Sequence, residues 1–137
     1  MRSFFDTNVL LYLFDTGEPE KKARAQEVVE REIRADRAVL STQVLQEFYV
    51  NVTRNLASPL PPEVAEERVR DYSRLPLVRV DATLILSAID RSQRMSFSFW
   101  DALIVESAIL AGADRLLTED LQHGQEIEDL RIENPFL

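Results

Sequence analysis

Short apolar runs, each breaking off at a polar or acidic residue and handing over to a longer amphipathic segment, constrain this chain more than any other feature. The first is Ser3-Phe4-Phe5, which ends at Asp6 and turns through Thr7-Asn8 into Val9-Leu10-Leu11. Arg37-Ala38-Val39-Leu40, Leu77-Val78-Arg79-Val80, Arg115-Leu116-Leu117-Thr118 and Leu130-Arg131-Ile132 repeat the theme. Runs this short and this apolar read as strands buried on both faces, the mark of a parallel sheet. The segments between them carry helical spacing. Helices are predicted over 7–14, 20–34, 43–54 and 63–74, over a stretch after the capping Asp81, and over 100–111. The last is the most apolar and is stopped by Gly112. Ser41 and Thr42 offer the cap for 43–54, and Pro59, Pro61 and Pro62 mark a connector. The charged residues of 20–34 are expected on a solvated face. Alternating strands and helices predict an α/β domain with a five-stranded, mainly parallel sheet flanked by helices and joined by right-handed crossovers.

A chain of 137 residues supports one sizeable core, so residues 1–137 are expected to form a single domain. With 45% hydrophobic and 29% charged residues, the composition is that of a soluble globular protein. Asp6 and Asp15 interrupt the longest apolar candidate for a membrane span, and no secretory signal precedes Asp6. Zero cysteines exclude a disulfide framework, a thiolate metal site and a cysteine nucleophile, and fit a cytoplasmic protein. The formal charge of −8 weighs against generic phosphate binding, although cations held by a carboxylate cluster would invert the sign locally.

Four acids stand among apolar neighbours, where surface charges would have polar ones. Asp6 follows Phe4-Phe5, Glu47 sits between Val44-Leu45 and Phe48-Tyr49, Asp101 between Trp100 and Ala102-Leu103, and Asp120 between Leu116-Leu117 and Leu121. Each alone reads as a helix cap, a half-exposed helix position or a turn residue. Together, at the carboxyl edge of a parallel sheet, they lack an equally embedded set of basic partners. Buried charge needs a partner or a metal. Oxygen-only donors suit Mg²⁺ or Mn²⁺, and such a site hydrolyses phosphodiesters without histidine or cysteine.

The chain resembles the PIN-domain family, and within it the VapC-type toxins of type II toxin–antitoxin pairs. Phe5-Asp6-Thr7-Asn8-Val9-Leu10, Gln46-Glu47-Phe48, Phe99-Trp100-Asp101-Ala102-Leu103-Ile104, Leu117-Thr118-Glu119-Asp120-Leu121-Gln122-His123-Gly124 and Ile132-Glu133-Asn134-Pro135-Phe136 carry the resemblance in order. It implies a Mg²⁺- or Mn²⁺-dependent endoribonuclease, an RNA substrate, a cognate antitoxin and a homodimer. By position it makes Asp6, Glu47, Asp101 and Asp120 the catalytic, metal-binding carboxylates, with Asn8 and Thr118 supporting them. Asn51 and Arg54 follow Glu47 at helical repeats and are candidates for RNA contact, or for a solvated helix face. Strand alternation would point Glu119 away from the site, which leaves its role open, and His123 is expected to be structural or at the surface. Trp100 is expected to face the core, and Tyr12, Phe14 and Tyr49 to serve core packing or an interface. The alternative is a binding module of the same fold that acts through protein contacts without catalysis. A receiver or phosphatase domain lacks its own pattern here: no lysine stands near the end of the chain, and Asp6-Thr7-Asn8 has no second aspartate.

Overall fold

The computed structural model describes all residues, Met1–Leu137. In chain order the elements are β1 (Ser3–Phe5), α1 (Thr7–Tyr12), α2 (Pro19–Arg34), β2 (Ala38–Ser41), α3 (Thr42–Arg54), α4 (Pro62–Tyr72), β3 (Leu77–Val78), α5 (Ala82–Met95), α6 (Phe99–Leu110), β4 (Arg115–Leu117), β5 (Glu126–Ile127) and β6 (Leu130–Glu133). The sheet runs β3-β2-β1-β4-β6-β5. All neighbours are parallel except β5, which returns antiparallel along β6. The five expected strands are therefore the parallel body of the sheet, and the sixth is an addition at its edge. That strand is two residues long, and its hairpin turns through Glu128 at φ 54°. Glycine or asparagine at that position would have announced the turn; glutamate does not. No helix is long and apolar enough to cross a membrane.

The order of the strands places the site. From β1 the chain moves outward through β2 to β3, then crosses back to lay β4 on the opposite side of β1. The switch between β1 and β4 is where the connections diverge, and a crevice opens there at the carboxyl ends of the strands. Phe4 pairs with Leu116 and Phe5 with Leu117, so Asp6 and Thr118 leave the sheet side by side. The core that holds this register includes Phe4, Phe5, Leu40, Phe48, Leu116, Leu117 and Ile132, all fully or nearly fully buried. A smaller core of Leu84, Ala88, Ala102 and Leu103 joins α5 to α6. The end of α6 is marked by Gly112 at φ 69°, a left-handed position that only the backbone, and no neighbouring atom, reserves for glycine.

The opposite, amino edge of the sheet holds a buried charge that corrects one sequence expectation. Glu32, on a helix predicted to carry a solvated charged face, has a completely buried side chain. Its carboxylate accepts from Arg37 Nη2 at 2.7 Å, from Arg31 Nε at 3.2 Å, from the Ser3 hydroxyl and from Arg115. Arg115 reaches on to Glu133 at 3.1 Å. One cluster thus ties α2 to β1, β4 and β6. Burial pushes the Glu32 carboxyl up, but the hydrogen bonds of Arg37 and Ser3, the charge of Arg115 and the hydrogen bond of Arg31 outweigh it and hold it at about 2. In the structure Ala25, Val28, Val29 and Glu32 share the buried stripe of α2 at helical spacing.

A depressed acid contributes stability above its unfolded value, and that contribution is lost as pH falls through the folded one. Denaturation of Glu32→Gln should therefore show a loss of about 3 kcal/mol at neutral pH, the cost of breaking a buried pair. The loss should shrink as pH falls from about 4.5 toward 2. A variant as stable as the parent at pH 7 would show that the cluster does not hold the sheet edge.

Candidate active site

Asp6 is the N-cap of α1, and its Oδ1 accepts the Thr7 amide at 2.7 Å. Its Oδ2 accepts the Thr118 hydroxyl at 2.7 Å and lies 3.5 Å from Asn8 Nδ2. The cap is real, but it engages only one carboxylate oxygen. Thr118 is fully buried, and its Oγ1 also accepts the amide of Asp120 at 3.0 Å. Asn8 Nδ2 closes the group by donating to Asp120 Oδ2 at 2.9 Å. Asp6, Asn8, Thr118 and Asp120 thus form one hydrogen-bonded unit across the β1–β4 switch.

Glu47 enters from α3, a different element. The Thr7 hydroxyl donates to its Oε1 at 2.7 Å, and Gln43 Nε2 lies 3.4 Å from its Oε2. Asp101 stands in the first turn of α6 and does not cap it: Ser98 is the cap, accepting the Asp101 amide at 3.1 Å. The capping explanation for Asp101 therefore falls away, and its carboxylate is free of that duty.

Electrostatics join the four acids. Burial drives the Asp6 carboxyl upward; the Thr118 hydroxyl and Thr7 amide pull it down; the charges of Asp120 and Glu47 add to the rise, which ends at about 7. Burial also raises Asp101, opposed by Ser98 and reinforced by the charge of Asp120. None of Asp6, Glu47, Asp101 or Asp120 takes part in any ion pair, although basic residues partner acids throughout the rest of the molecule. Negative charge is concentrated here and left unanswered.

No three acidic or histidine side chains close into a group able to hold a metal ion as they stand. The chemistry of the donor set nonetheless fits a hard divalent cation. All four acids offer oxygen, Asp6 carries the raised pKa of an uncompensated carboxylate, and the buried Asn8 Oδ1 has no hydrogen-bond partner.

Of the remaining candidates, Asn51 donates to the Glu47 carbonyl at 2.7 Å and accepts from Asn55 at 2.6 Å, so it serves its own helix first. Arg54 is exposed in the last turn of α3 and touches none of the carboxylates. Glu119 points away from the site, as strand alternation demands, onto Tyr12 Oη at 2.6 Å and Lys21 Nζ at 3.0 Å. His123 Nδ1 accepts the Asn134 amide at 2.9 Å, a structural use. Phe14 and Tyr12 pack edge-on against Phe48 and Phe136. Trp100 corrects the expectation of a core position, because it is 61% exposed. Thr7 and Gln43, which hold Glu47, were not singled out from the sequence. Gln43 stands one helical turn before Glu47, a spacing that could have flagged it.

A model of the PIN domain family matches residues 3–125. No curated protein sequence matches the chain. Among solved structures, Mycobacterium tuberculosis VapC20, described as a sarcin–ricin loop cleaving toxin, is 21% identical with a TM-score of 0.65, covering 83% of this chain and 86% of its own. A toxin–antitoxin complex from Klebsiella pneumoniae shares 19% identity at a TM-score of 0.69, with 97% of each chain covered. VapBC2 from Rickettsia felis, bound to a fragment of its promoter DNA, shares 20% at 0.68, with 98% of each covered. At these identities the likeness to the solved structures is one of fold.

The raised Asp6 carboxyl sets a pH dependence with a definite sign. A folded pKa above the ordinary value of 3.8 means the native state binds the extra proton, so stability falls as pH rises from about 4 to about 7. In chelator, thermal melts of the parent should show that fall, and Asp6→Asn should flatten it. Parallel curves for the two proteins would show that Asp6 ionises without penalty.

Proposed function

The chain belongs to the PIN domain family, and from that premise we propose that it is a Mg²⁺- or Mn²⁺-dependent endoribonuclease, the toxin of a toxin–antitoxin pair. The observation that carries the reading is the unpaired, mutually repelling set Asp6, Glu47, Asp101 and Asp120 at the β1–β4 switch. These four carboxylates would hold the cation, which would supply a water of lowered pKa and a counter-charge for the phosphodiester. The rest of the chemistry lies in this chain's own groups. Thr118 and the Thr7 amide fix the two oxygens of Asp6 in different directions. Asn8 sets Asp120 against Asp6, and Thr7 with Gln43 sets Glu47. Such outer partners orient ligating carboxylates and leave few rotamers to freeze on binding. Burial holds the Asp6 pKa well above the usual carboxylate range, so a cation binding there would compete with a proton.

The partners follow from the same reading. VapC20 is described as cleaving the sarcin–ricin loop, and the Klebsiella and Rickettsia assemblies as toxin–antitoxin complexes. That kinship of fold supports an RNA substrate and a cognate antitoxin for this chain; a cytoplasmic homodimer, with residues 1–137 as one PIN unit, completes the proposal. One observation favours the second reading, a binding module that keeps the fold without catalysis: the carboxylates are not closed into a group of three. Calorimetric titration with Mn²⁺ separates the two, since a module without catalysis has no use for the cation.

Structured and single-stranded RNA incubated with Mg²⁺ or Mn²⁺ should be cleaved by the parent. Asp6→Asn and Asp101→Asn should each lose more than the roughly 10–100-fold that removal of an outer partner costs. Equal cleavage by all three proteins would overturn the assignment of those residues.

A further inference from the structure

Between α3 and the first turn of α6 lies an open pocket of about 330 Å³, lined by Gln43, Gln46, Glu47, Val50, Asn51 and Trp100. Its most conspicuous member is Trp100, 61% exposed although it is the largest apolar side chain in the molecule. The indole is not loose. Its ring meets Phe99 edge-on at 5.0 Å between centroids, and its main-chain oxygen lies 3.3 Å from Gln43 Nε2. The same Gln43 nitrogen lies 3.4 Å from Glu47 Oε2. Pocket and carboxylate site therefore share Glu47, and the residue that follows Trp100 is Asp101.

The lining has a definite chemistry. It contains no basic residue, so a phosphate has no counter-charge there and meets Glu47 instead. Gln46 is exposed and makes no side-chain hydrogen bond, which leaves its donor and acceptor free. Asn51 uses one hydrogen of its amide on the Glu47 carbonyl and has a second to give. An exposed indole with carboxamides at its rim suits a flat, neutral ring whose edge carries donors and acceptors. Arg54, exposed and free of ion pairs, follows Val50 and Asn51 by one turn of α3, where a flanking phosphate could pass.

We propose that this pocket is a nucleobase subsite: a base of single-stranded RNA next to the scissile phosphate stacks on Trp100 and turns its edge to Gln46 and Asn51. The identity of the ligand rests on the nuclease reading above. The pocket runs into the carboxylate site through the shared Glu47 and has carboxamides at its rim, features that a nucleotide uses and a purely apolar anchor does not. Stacking also gives an acidic chain a hold on RNA that does not depend on phosphate neutralisation.

Trp100 is the only tryptophan in the chain, so its fluorescence reports the pocket alone. Titration of the parent with single-stranded RNA heptamers in chelator should quench it saturably, with the dissociation constant about tenfold weaker in Gln46→Ala. With cation present, Trp100→Leu should raise KM for cleavage about tenfold while kcat stays nearly constant, and Trp100→Phe should recover most of the loss. Absent quenching, with Trp100→Leu cleaving as the parent does, overturns the subsite and leaves the nuclease standing. Quenching by RNA in a parent that cleaves nothing supports the subsite as an RNA-binding pocket and removes the nuclease reading. Fluorescence that shifts with protein concentration alone, or only with a bound protein partner, places another chain on Trp100 and overturns the proposal.

Discussion

A buried carboxylate has to be answered by positive charge or hydrogen bonds, and this chain answers its two most buried ones in opposite ways. At the amino edge of the sheet, Glu32 is surrounded by Arg31, Arg37 and Arg115 with Ser3 beneath it, and its pKa falls to about 2. At the carboxyl edge, Asp6 has a hydroxyl and an amide but no cation, and its pKa rises to about 7. The same β1 strand connects the two environments, since Ser3 begins it and Asp6 follows it. One end of the strand is anchored by satisfied charge; the other presents charge that is unsatisfied. Unsatisfied charge is the usual price of a functional site.

The topology explains why the second end is the one exposed to ligands. Strand β1 lies in the middle of the sheet, with β2 on one side and β4 on the other. Residues beyond the ends of β1 and β4 emerge into the crevice where the connections part. Asp6 and Thr118 therefore meet without any long loop to position them, and Asn8 and Asp120 follow from short continuations of the same two strands. Helices α3 and α6 then bring Glu47 and Asp101 to the rim, each from within its first turns, where the backbone is rigid.

Much of this was legible from residue order. The five parallel strands stand where apolar runs ended at polar residues, because a strand buried on both faces leaves a near-continuous apolar signature. The predicted carboxylates drew notice by the same rule, acids amid apolar neighbours. What escaped had weaker local signals. Strand β5 is two residues long and pairs only through a turn bearing Glu128. Glu32 looked like one more charge on a charged helix, and it is Arg37 and Arg115, both from outside that helix, that make it a core residue. Trp100 was expected inside because adjacent helical positions face different ways and Asp101 faces the site, yet α6 begins at Phe99 and its first turn overhangs the pocket beside α3.

Local sequence by itself determined the alternation of strand and helix, the caps at Asp6, Ser41 and Asp81, and the residue types available for a hard-cation site. These are short-range properties, set by burial period and by hydrogen bonds a few residues away. Only the tertiary structure decided which charges are answered and which are not. Glu32 stands among charged neighbours and Asp6 behind two phenylalanines, yet both are buried, and residue order alone does not say which charge will be answered. The difference lies in Arg115, which packs against one, and in Asp120 and Glu47, which face the other. Coulomb interactions depend on distance through space, and the strand order β2-β1-β4 is what sets those distances.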